Sequence, residues 1–495
     1  MSAAAPADPF AGPRACLEEL IGWLEGTEAA GLTHAELEDQ LDARGRELLR
    51  QLYQGQLDLR ALREDRARVT HAEGVRHGAV ETGHLRPLAT VFGAVEVCRL
   101  AYRHRGHANL YPADAVLNLP DERHSHGIRK LAAIEAARGS FEEAASALTR
   151  TTGQPIGKRQ TESLTARAAA DVEDFYAGRR PPPAPETDVL VISADGKGIV
   201  MRPDSLRPAT AKAAVTTKLA TRLSKGEKRH RKRLAEVGTV YDLTPVPRNA
   251  TDVMGPHDDG QPPPAPKANN KWVTASVVAA AAEVLATVFD EAERRDPTHQ
   301  RTWVALVDGN NHQIETVKAQ SAARGIEVPI IVDFVHVLEY LWAAAWCFFA
   351  EADPAAEDWV RDRAIAVLNG AARAVATGLR RRATAQRLTA SKRKKADQAA
   401  RYLTNKAHYL DYPTALNAGW PIATGVIEGA CRYLVKDRMD ITGARWSAQG
   451  AETVLKLRAI RANDDFDDYW RYHLEREHHR VHQSRYLNGV IPAAA

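Results

Sequence analysis

Val189-Leu190-Val191-Ile192-Ser193-Ala194-Asp195 is a run of apolar and small residues, half of them β-branched, that stops on an acid. It is too short for a stable helix and reads as a buried strand. Trp303-Val304-Ala305-Leu306-Val307-Asp308 repeats the pattern, and Thr424-Gly425-Val426-Ile427-Glu428 is a third hydrophobic run closing on an acid. Two buried strands that each end on Asp can set two carboxylates side by side at one edge of a sheet, and a later Glu can complete a cage for divalent cations. Singly, each acid has a plain structural use. Asp195-Gly196 and Asp308-Gly309 are turn dipeptides, and Glu428 suits a first helical turn, where the macrodipole favours an acid. Only their conjunction points to chemistry.

Outward from Val189 the pattern gives a second strand at Gly198–Arg202 and a third at Gly238–Val246. A helix is expected from Val273 to Arg294, then strand Thr302–Val307, helix Gln313–Arg324, strand Val328–Val332 and helix Phe334–Phe349. This βββαβαβα order is that of an RNase H-like fold, a mixed five-stranded sheet with flanking helices. There the first strand is central and pairs with the fourth, which puts Asp195 and Asp308 about 5 Å apart on neighbouring strands. Asp333 ends the fifth strand in the same way but about 10 Å from Asp195, so it is assigned a supporting place behind the ligands. It is expected to cap the helix beginning at Phe334, with His336 in the first turn. An all-helical, Arg/Lys/Ala-rich insertion at 355–408 separates this part from Glu428 and a last long helix around Gly429–Ile460.

Upstream, residues 15–65 carry helical periodicity, and Leu88–Val91 and Val95–Leu100 flank Phe92-Gly93 as a hairpin. Ser140-Phe141-Glu142-Glu143 is a capping box opening the helix Phe141–Thr151. The breaker Gly153-Gln154-Pro155 follows, then a helix from Lys158 to Tyr176 with basic Lys158 and Arg159 at its start. That is a helix-turn-helix outline, although any helical hairpin with a Gly-Pro turn shares it. Pro181–Pro185 reads as a stiff linker and Pro262–Pro266 as a second breaker. The expected organisation is an N-terminal helical region (1–80), a small β-region (81–120), a DNA-facing helical region (121–180), a catalytic core in two parts (186–350 and 416–470) around the basic insertion (351–415), and a C-terminal tail (471–495).

The 495 residues, 44% of them hydrophobic, suffice for several cores, and the net charge of +4 hides segregation. Arg222 to Arg233 holds seven basic residues against one acid, and Arg380 to Lys395 holds eight against none. The first reads as a solvated loop or arm and the second as a patch tracking a phosphate backbone. Cys16, Cys98, Cys347 and Cys431 form no C-x-x-C pair, as in a reducing cytoplasm, and no stretch reads as a signal peptide or membrane span.

Ala194-Asp195-Gly196-Lys197-Gly198, Val307-Asp308-Gly309-Asn310-Asn311, Val332-Asp333-Phe334-Val335-His336-Val337 and Thr424-Gly425-Val426-Ile427-Glu428-Gly429, followed by Arg438-Met439 and Gly443-Ala444-Arg445-Trp446, together resemble bacterial insertion-sequence DDE transposases of the ISKra type, in the Mutator-like, RNase H-like superfamily. The likeness spans roughly residues 85 to 470. It implies a catalytic, metal-binding triad of Asp195, Asp308 and Glu428, two Mg²⁺ (or Mn²⁺) ions, and cleavage and joining of DNA strands. It also implies the element's terminal inverted repeats and target DNA as ligands, a homodimer or higher oligomer on DNA, and a nucleoid-associated place in the cytoplasm. Asp333-x-x-His336 resembles the (C/D)-x-x-H signature of related transposases. Where such proteins often carry Cys-x-x-Cys in the β-region, this chain has Cys98 and then His104-Arg105-Gly106-His107, three ligands where a closed zinc site needs four, so structural zinc is not expected.

Further DNA contacts are assigned to Lys197, to Arg380, Arg381, Arg382, Arg387, Lys392, Arg393, Lys394 and Lys395, to Arg432 and Lys436 on one helical face beyond Glu428, and to Arg438 and Arg445. Trp342 and Trp346 read as core, and His478, His479 and His482 as an exposed polar tail. Two other readings stay open: a catalytically silent, transposase-derived DNA-binding protein, and a nuclease or resolvase of the same fold that hydrolyses without joining.

Overall fold

The computed structural model describes residues 8–181, 183–216, 231–255, 265–441 and 443–492. Most of the basic arm expected at 222–233, and parts of the Pro181–Pro185 and Pro262–Pro266 stretches, lie outside these. The chain divides into two compact units, Met1–Ala177 with Asp465–Ala495, and Gly178–Asp464.

In the first unit, α1 (Ala11–Glu25) and α2 (His34–Leu62) precede two short strands, β1 (Val69–Thr70) and β2 (Arg76–His77). A long hairpin follows, β3 (Ala79–Thr90) and β4 (Gly93–Arg103), as expected, though it turns at Val91-Phe92, one residue before the expected Phe92-Gly93. Leu57 of α2 packs with Leu88, Val95 and Val97 of the hairpin. Helices α3 (His126–Arg138), α4 (Phe141–Thr152) and α5 (Lys158–Ala168) share the apolar cluster Ile128, Ala132, Leu148, Ile156 and Leu164. The Ser140/Glu143 capping box forms, and α4 stops at Gly153 with φ +66°, a left-handed conformation that glycine adopts without strain. The helix expected to run to Tyr176 breaks after Ala168 and resumes at Val172.

Residues 471–492 are not an exposed tail. Helix Phe466–Val481 is bound into this unit by buried ion pairs, because Arg129, fully enclosed, lies 2.6 Å from Glu477 and 2.8 Å from Glu122. His482 is only 5% exposed, and His478 Nε2 lies 3.0 Å from the Ala115 carbonyl.

The second unit is built on a mixed five-stranded sheet: β5 (Val189–Val200), β6 (Lys232–Leu243), β7 (Ala268–Ser276), β8 (Trp303–Val307) and β9 (Ile330–Val332), in the order β7-β6-β5-β8-β9. β5, β6 and β7 pair antiparallel, and β8 and β9 continue parallel to β5. Two expected boundaries fail. Asp195-Gly196 makes no turn, so the strands expected at 188–194 and 198–202 are one, with every residue from Val189 to Val200 paired to β6. The missing third strand is β7, which occupies the start of the stretch expected to be helical from Val273; α6 (Ala281–Arg295) begins only after Ser276.

α7 (Asn311–Arg324) and α8 (Phe334–Phe348) follow β8 and β9, and α9 (Pro354–Leu368), α10 (Ala372–Ala385) and α11 (Ala390–Lys406) fill the expected helical stretch. α12 (Gly425–Ala430) carries Glu428 and continues as a wide π-type turn, Cys431–Lys436, to Met439; after a break α13 (Ala448–Ala462) completes the unit. The single helix expected over Gly429–Ile460 is therefore two. No described helix is long and apolar enough to cross a membrane.

Candidate metal and nucleic-acid site

Strand register places the acids. The last paired residues of β5 and β8 are Ser193 and Leu306, and two residues further along each strand stand Asp195 and Asp308. Val307 pairs with Val332, so Asp308 and Asp333 each follow by one residue on adjoining strands, and the Asp333 N–H donates to the Val307 carbonyl at 2.8 Å. Asp308 and Asp333 thus stand just past the ends of β8 and β9, and Asp195 stands level with them inside β5, where pairing with β8 has stopped and pairing with β6 continues.

Asp195 and Asp308 share a cavity of about 270 Å³ with Glu236, Asn310 and His312. Asp195 Oδ1 accepts the Gly196 N–H at 2.6 Å and Oδ2 lies 3.4 Å from the Cys431 thiol. Asp308 Oδ1 accepts the Asn310 N–H at 2.7 Å, closing a turn in which Gly309 has φ +91°. A Cβ at Gly309 would stand 2.8 Å from the Tyr402 hydroxyl, which itself donates to the Asp308 carbonyl at 3.3 Å. Asp308-Gly309 is a turn, then, as the dipeptide suggests, whereas Asp195-Gly196 is strand.

Glu236 is an acid the sequence did not single out. It pairs with Gly196, whose Cβ position lies 3.0 Å from Glu236 Oε2, so a side chain there would press on this carboxylate and shift it. Burial holds its pKa above the ordinary value; Arg207 pulls it down, and the charge of Asp195 adds to the rise. The usable signal was the alternation Leu234-Ala235-Glu236-Val237-Gly238, which carries the strand back beyond Gly238.

Asp333 is fully buried and serves as N-cap of α8, as expected. Its Oδ1 accepts the N–H groups of Val335 (3.0 Å) and Thr424 (3.3 Å), and its Oδ2 meets the Thr424 hydroxyl (2.6 Å) and His336 Nδ1 (3.1 Å). Four donors saturate a carboxylate. Burial would lower the His336 pKa, but the hydrogen bond and charge of Asp333, helped by Glu339 and Asp308, raise it overall. Thr424 stands one residue before α12, and its hydroxyl is also 3.3 Å from Glu428 Oε1, so Asp333 fixes the helix that presents Glu428. One turn beyond Glu428, Cys431 touches Asp195, and burial pushes that thiol's pKa up, with Asp195 adding to the effect. Ligand atoms of Asp333, His336 and Glu428 fall within 4.8 Å of one another. Asp195 and Asp308 are not in that group.

The basic residues divide. Lys158, Arg159, Arg380, Arg381, Arg387, Lys392, Lys394, Lys395, Arg432, Lys436 and Arg445 are exposed, and Lys197 is half-buried. Arg382 faces inward instead, its guanidinium 4.6 to 5.5 Å from the rings of Phe348, Phe349 and Trp359, where stacking and burial hold it. Arg393 is engaged by Asp397 at 3.0 Å. Arg438 is buried 4.8 Å over the Trp446 ring. Arg382 and Arg438 are held by packing, whereas the Arg393 side chain stays 38% exposed. Trp346, expected in the core, is 43% exposed and stacks on Trp342. No protein-family model and no curated protein matches the chain.

Proposed function

We propose that the chain is a transposase that binds the terminal inverted repeats of its own element and cleaves and joins DNA strands with divalent metal ions, on an RNase H-like core interrupted by the helices α9 to α11. The observation carrying this reading is the register that sets Asp195, inside β5, level with Asp308 just past the end of β8, next to a helix whose Glu428 and Cys431 reach towards Asp333 and Asp195. A strand order with the first strand central between an antiparallel meander and two parallel strands supports it.

The donor set suits hard cations. Asp195, Asp308 and Glu428 offer only oxygen, and among the described residues Asp308 engages just one of its two carboxylate oxygens in a hydrogen bond. Asp333 has no lone pair to spare and acts by orienting Glu428 and His336. Bound Mg²⁺ or Mn²⁺ at this edge supplies an activated water and charge stabilisation for the departing 3′ oxygen. The residues hold the ions and aim the scissile phosphodiester, and no protein nucleophile is required. Exposed Arg432 and Lys436, on the turn after Glu428, are placed to take flanking phosphates, and Lys392, Lys394 and Lys395 to track the backbone further out.

The test is incubation of the purified chain with labelled DNA carrying the inverted repeats that flank its gene, plus Mg²⁺. Nicked and strand-transferred products are expected, lost on Asp195→Asn, Asp308→Asn or Glu428→Gln. Undiminished products from Asp195→Asn would sink the metal assignment, and hydrolysis without joining would make the protein a nuclease.

A further inference from the structure

In the first unit, two tight turns bring together imidazoles that no step of the proposed strand chemistry uses. One turn links β1 to β2: the His71 N–H donates to the Val75 carbonyl at 2.8 Å and Gly74 has φ +79°. The other follows β4: the His107 N–H donates to the His104 carbonyl at 3.2 Å and Gly106 has φ +85°. Between them stand four rings. Centroids are 5.2 Å apart for His71 and His107, 5.3 Å for His104 and His107, 5.9 Å for His77 with each of His104 and His107, and 6.0 Å for His71 and His77. Imidazoles on the corners of a tetrahedral zinc site, each nitrogen about 2 Å from the ion, have centroids about 5 Å apart.

His77 supplies an independent sign. Its ring is 2% exposed, Nδ1 lies 3.0 Å from the Tyr102 carbonyl, and Nε2 is buried with no hydrogen-bond partner. A carbonyl at Nδ1 fixes the proton there and leaves the Nε2 lone pair free, which is how metal-bound histidines are oriented. An imidazole nitrogen so enclosed costs stability unless something fills its lone pair. Glu73 adds a negative charge at the rim, 3.8 Å from Nδ1 of both His71 and His107, and the ligand atoms of these three lie within 4.8 Å; His77 and His104 stand outside that group, so a shared ion would draw the two turns together. The geometry points to a structural site for one zinc-class divalent transition-metal ion held by His71, His77, His104 and His107, with Glu73 at its edge.

Sequence spacing hid it: only His104 and His107 stand close together, and Cys98, the ligand sequence suggested, is paired with Leu85 in mid-hairpin and lines a different cavity with Leu57 and Ala61. The ion staples β1 and β2 to the end of β4, closing a loop of more than thirty residues.

The full chain, stripped with chelator and returned to Zn²⁺ with excess Mg²⁺ to occupy the carboxylate site, should retain one zinc ion per chain by elemental analysis after gel filtration. Co²⁺ in its place should show the intense visible absorption of a tetrahedral site. His107→Gln and His104→Gln should each weaken Zn²⁺ binding at least tenfold; the second alters an exposed residue that contributes no packing apart from the ion, so the metal-free forms of this variant and of the unaltered chain should unfold alike. Retention of no zinc, octahedral-type cobalt absorption, or unchanged affinity in both variants would overturn the site. Loss of strand-cleaving activity alone would not bear on it.

Discussion

Asp333→Asn separates an acid that positions from an acid that binds metal. The substitution keeps the shape but replaces one oxygen with an NH₂ group and removes the charge that four donors face: Val335 N–H, Thr424 N–H, the Thr424 hydroxyl and His336 Nδ1. The two backbone donors cannot turn away, so the amide oxygen must take the Oδ1 position and its NH₂ must meet Thr424 and His336. The hydroxyl can rotate and the imidazole can change tautomer, which preserves contact but not charge assistance. A hydrogen bond to a charged group contributes about 1.5 to 3 kcal/mol against about 1 for a neutral one, so with relaxation the loss is about 2 to 4 kcal/mol. The assay is urea unfolding followed by tryptophan fluorescence, which reports this unit because Trp272, Trp303, Trp342, Trp346, Trp359, Trp420 and Trp446 all lie in it. Asp195→Asn, at a half-buried acid with one backbone donor, should move the same transition by less than about 1 kcal/mol while abolishing Mg²⁺ binding by calorimetry. If Asp333→Asn leaves stability unchanged or raised and destroys metal binding, Asp333 is itself a ligand, and the ion sits with His336 and Glu428.

Four further outcomes follow from the same geometry. Gly238→Ala puts a Cβ 2.3 Å from Val288 Cγ2 of α6, and should cost about 1 to 3 kcal/mol in the same urea assay. Arg129→Met takes one of two arginine partners from each of Glu477 and Glu122, which keep Arg480 and Arg167, and a drop of about 1 to 3 kcal/mol is expected by thermal unfolding. Burial, aided by the charge of Arg129, lowers the His126 pKa to about 4, and burial lowers that of His482 to about 4. The unfolded chain therefore takes up protons near pH 6.5 that the folded chain refuses, so stability is lost as pH falls from about 6.5 to 4, by roughly 3 kcal/mol at His126 alone; a flat thermal profile over that range would contradict it. Replacing Lys392, Lys394 and Lys395 with Gln should weaken DNA binding and flatten its salt dependence by about one unit per lost phosphate contact, whereas Arg382→Gln should lower stability and leave the salt slope alone.

Much of the sheet was legible because β5 and β8 are buried and say so: Val189–Ala194 and Trp303–Val307 are runs of apolar and small residues, and each stops near where the two strands cease to pair with one another. The edges of the antiparallel part were not. β7 starts in Ala268-Asn269-Asn270-Lys271, mostly polar residues that make it resemble a loop, and the alternating Val273-Thr274-Ala275-Ser276-Val277 that follows was absorbed into the helix after it. Asp195-Gly196 shows the converse error, a turn dipeptide held in strand because β6 pairs it residue for residue, which tertiary pairing enforces over local preference. That Asp195 and Asp308 stand level on neighbouring strands was foreseeable from where the runs stop, and the saturation of Asp333 was not, since two of its four donors come from Thr424, 91 residues away. The same limit explains the basic residues. Charge runs announce exposure on average, but Arg382 and Arg438 each meet an aromatic face, and no spacing rule connects position 382 to Phe348 or 438 to Trp446. Contacts close in sequence can be read from the chain; those that decide whether an acid binds or supports are made by residues that only the fold makes neighbours.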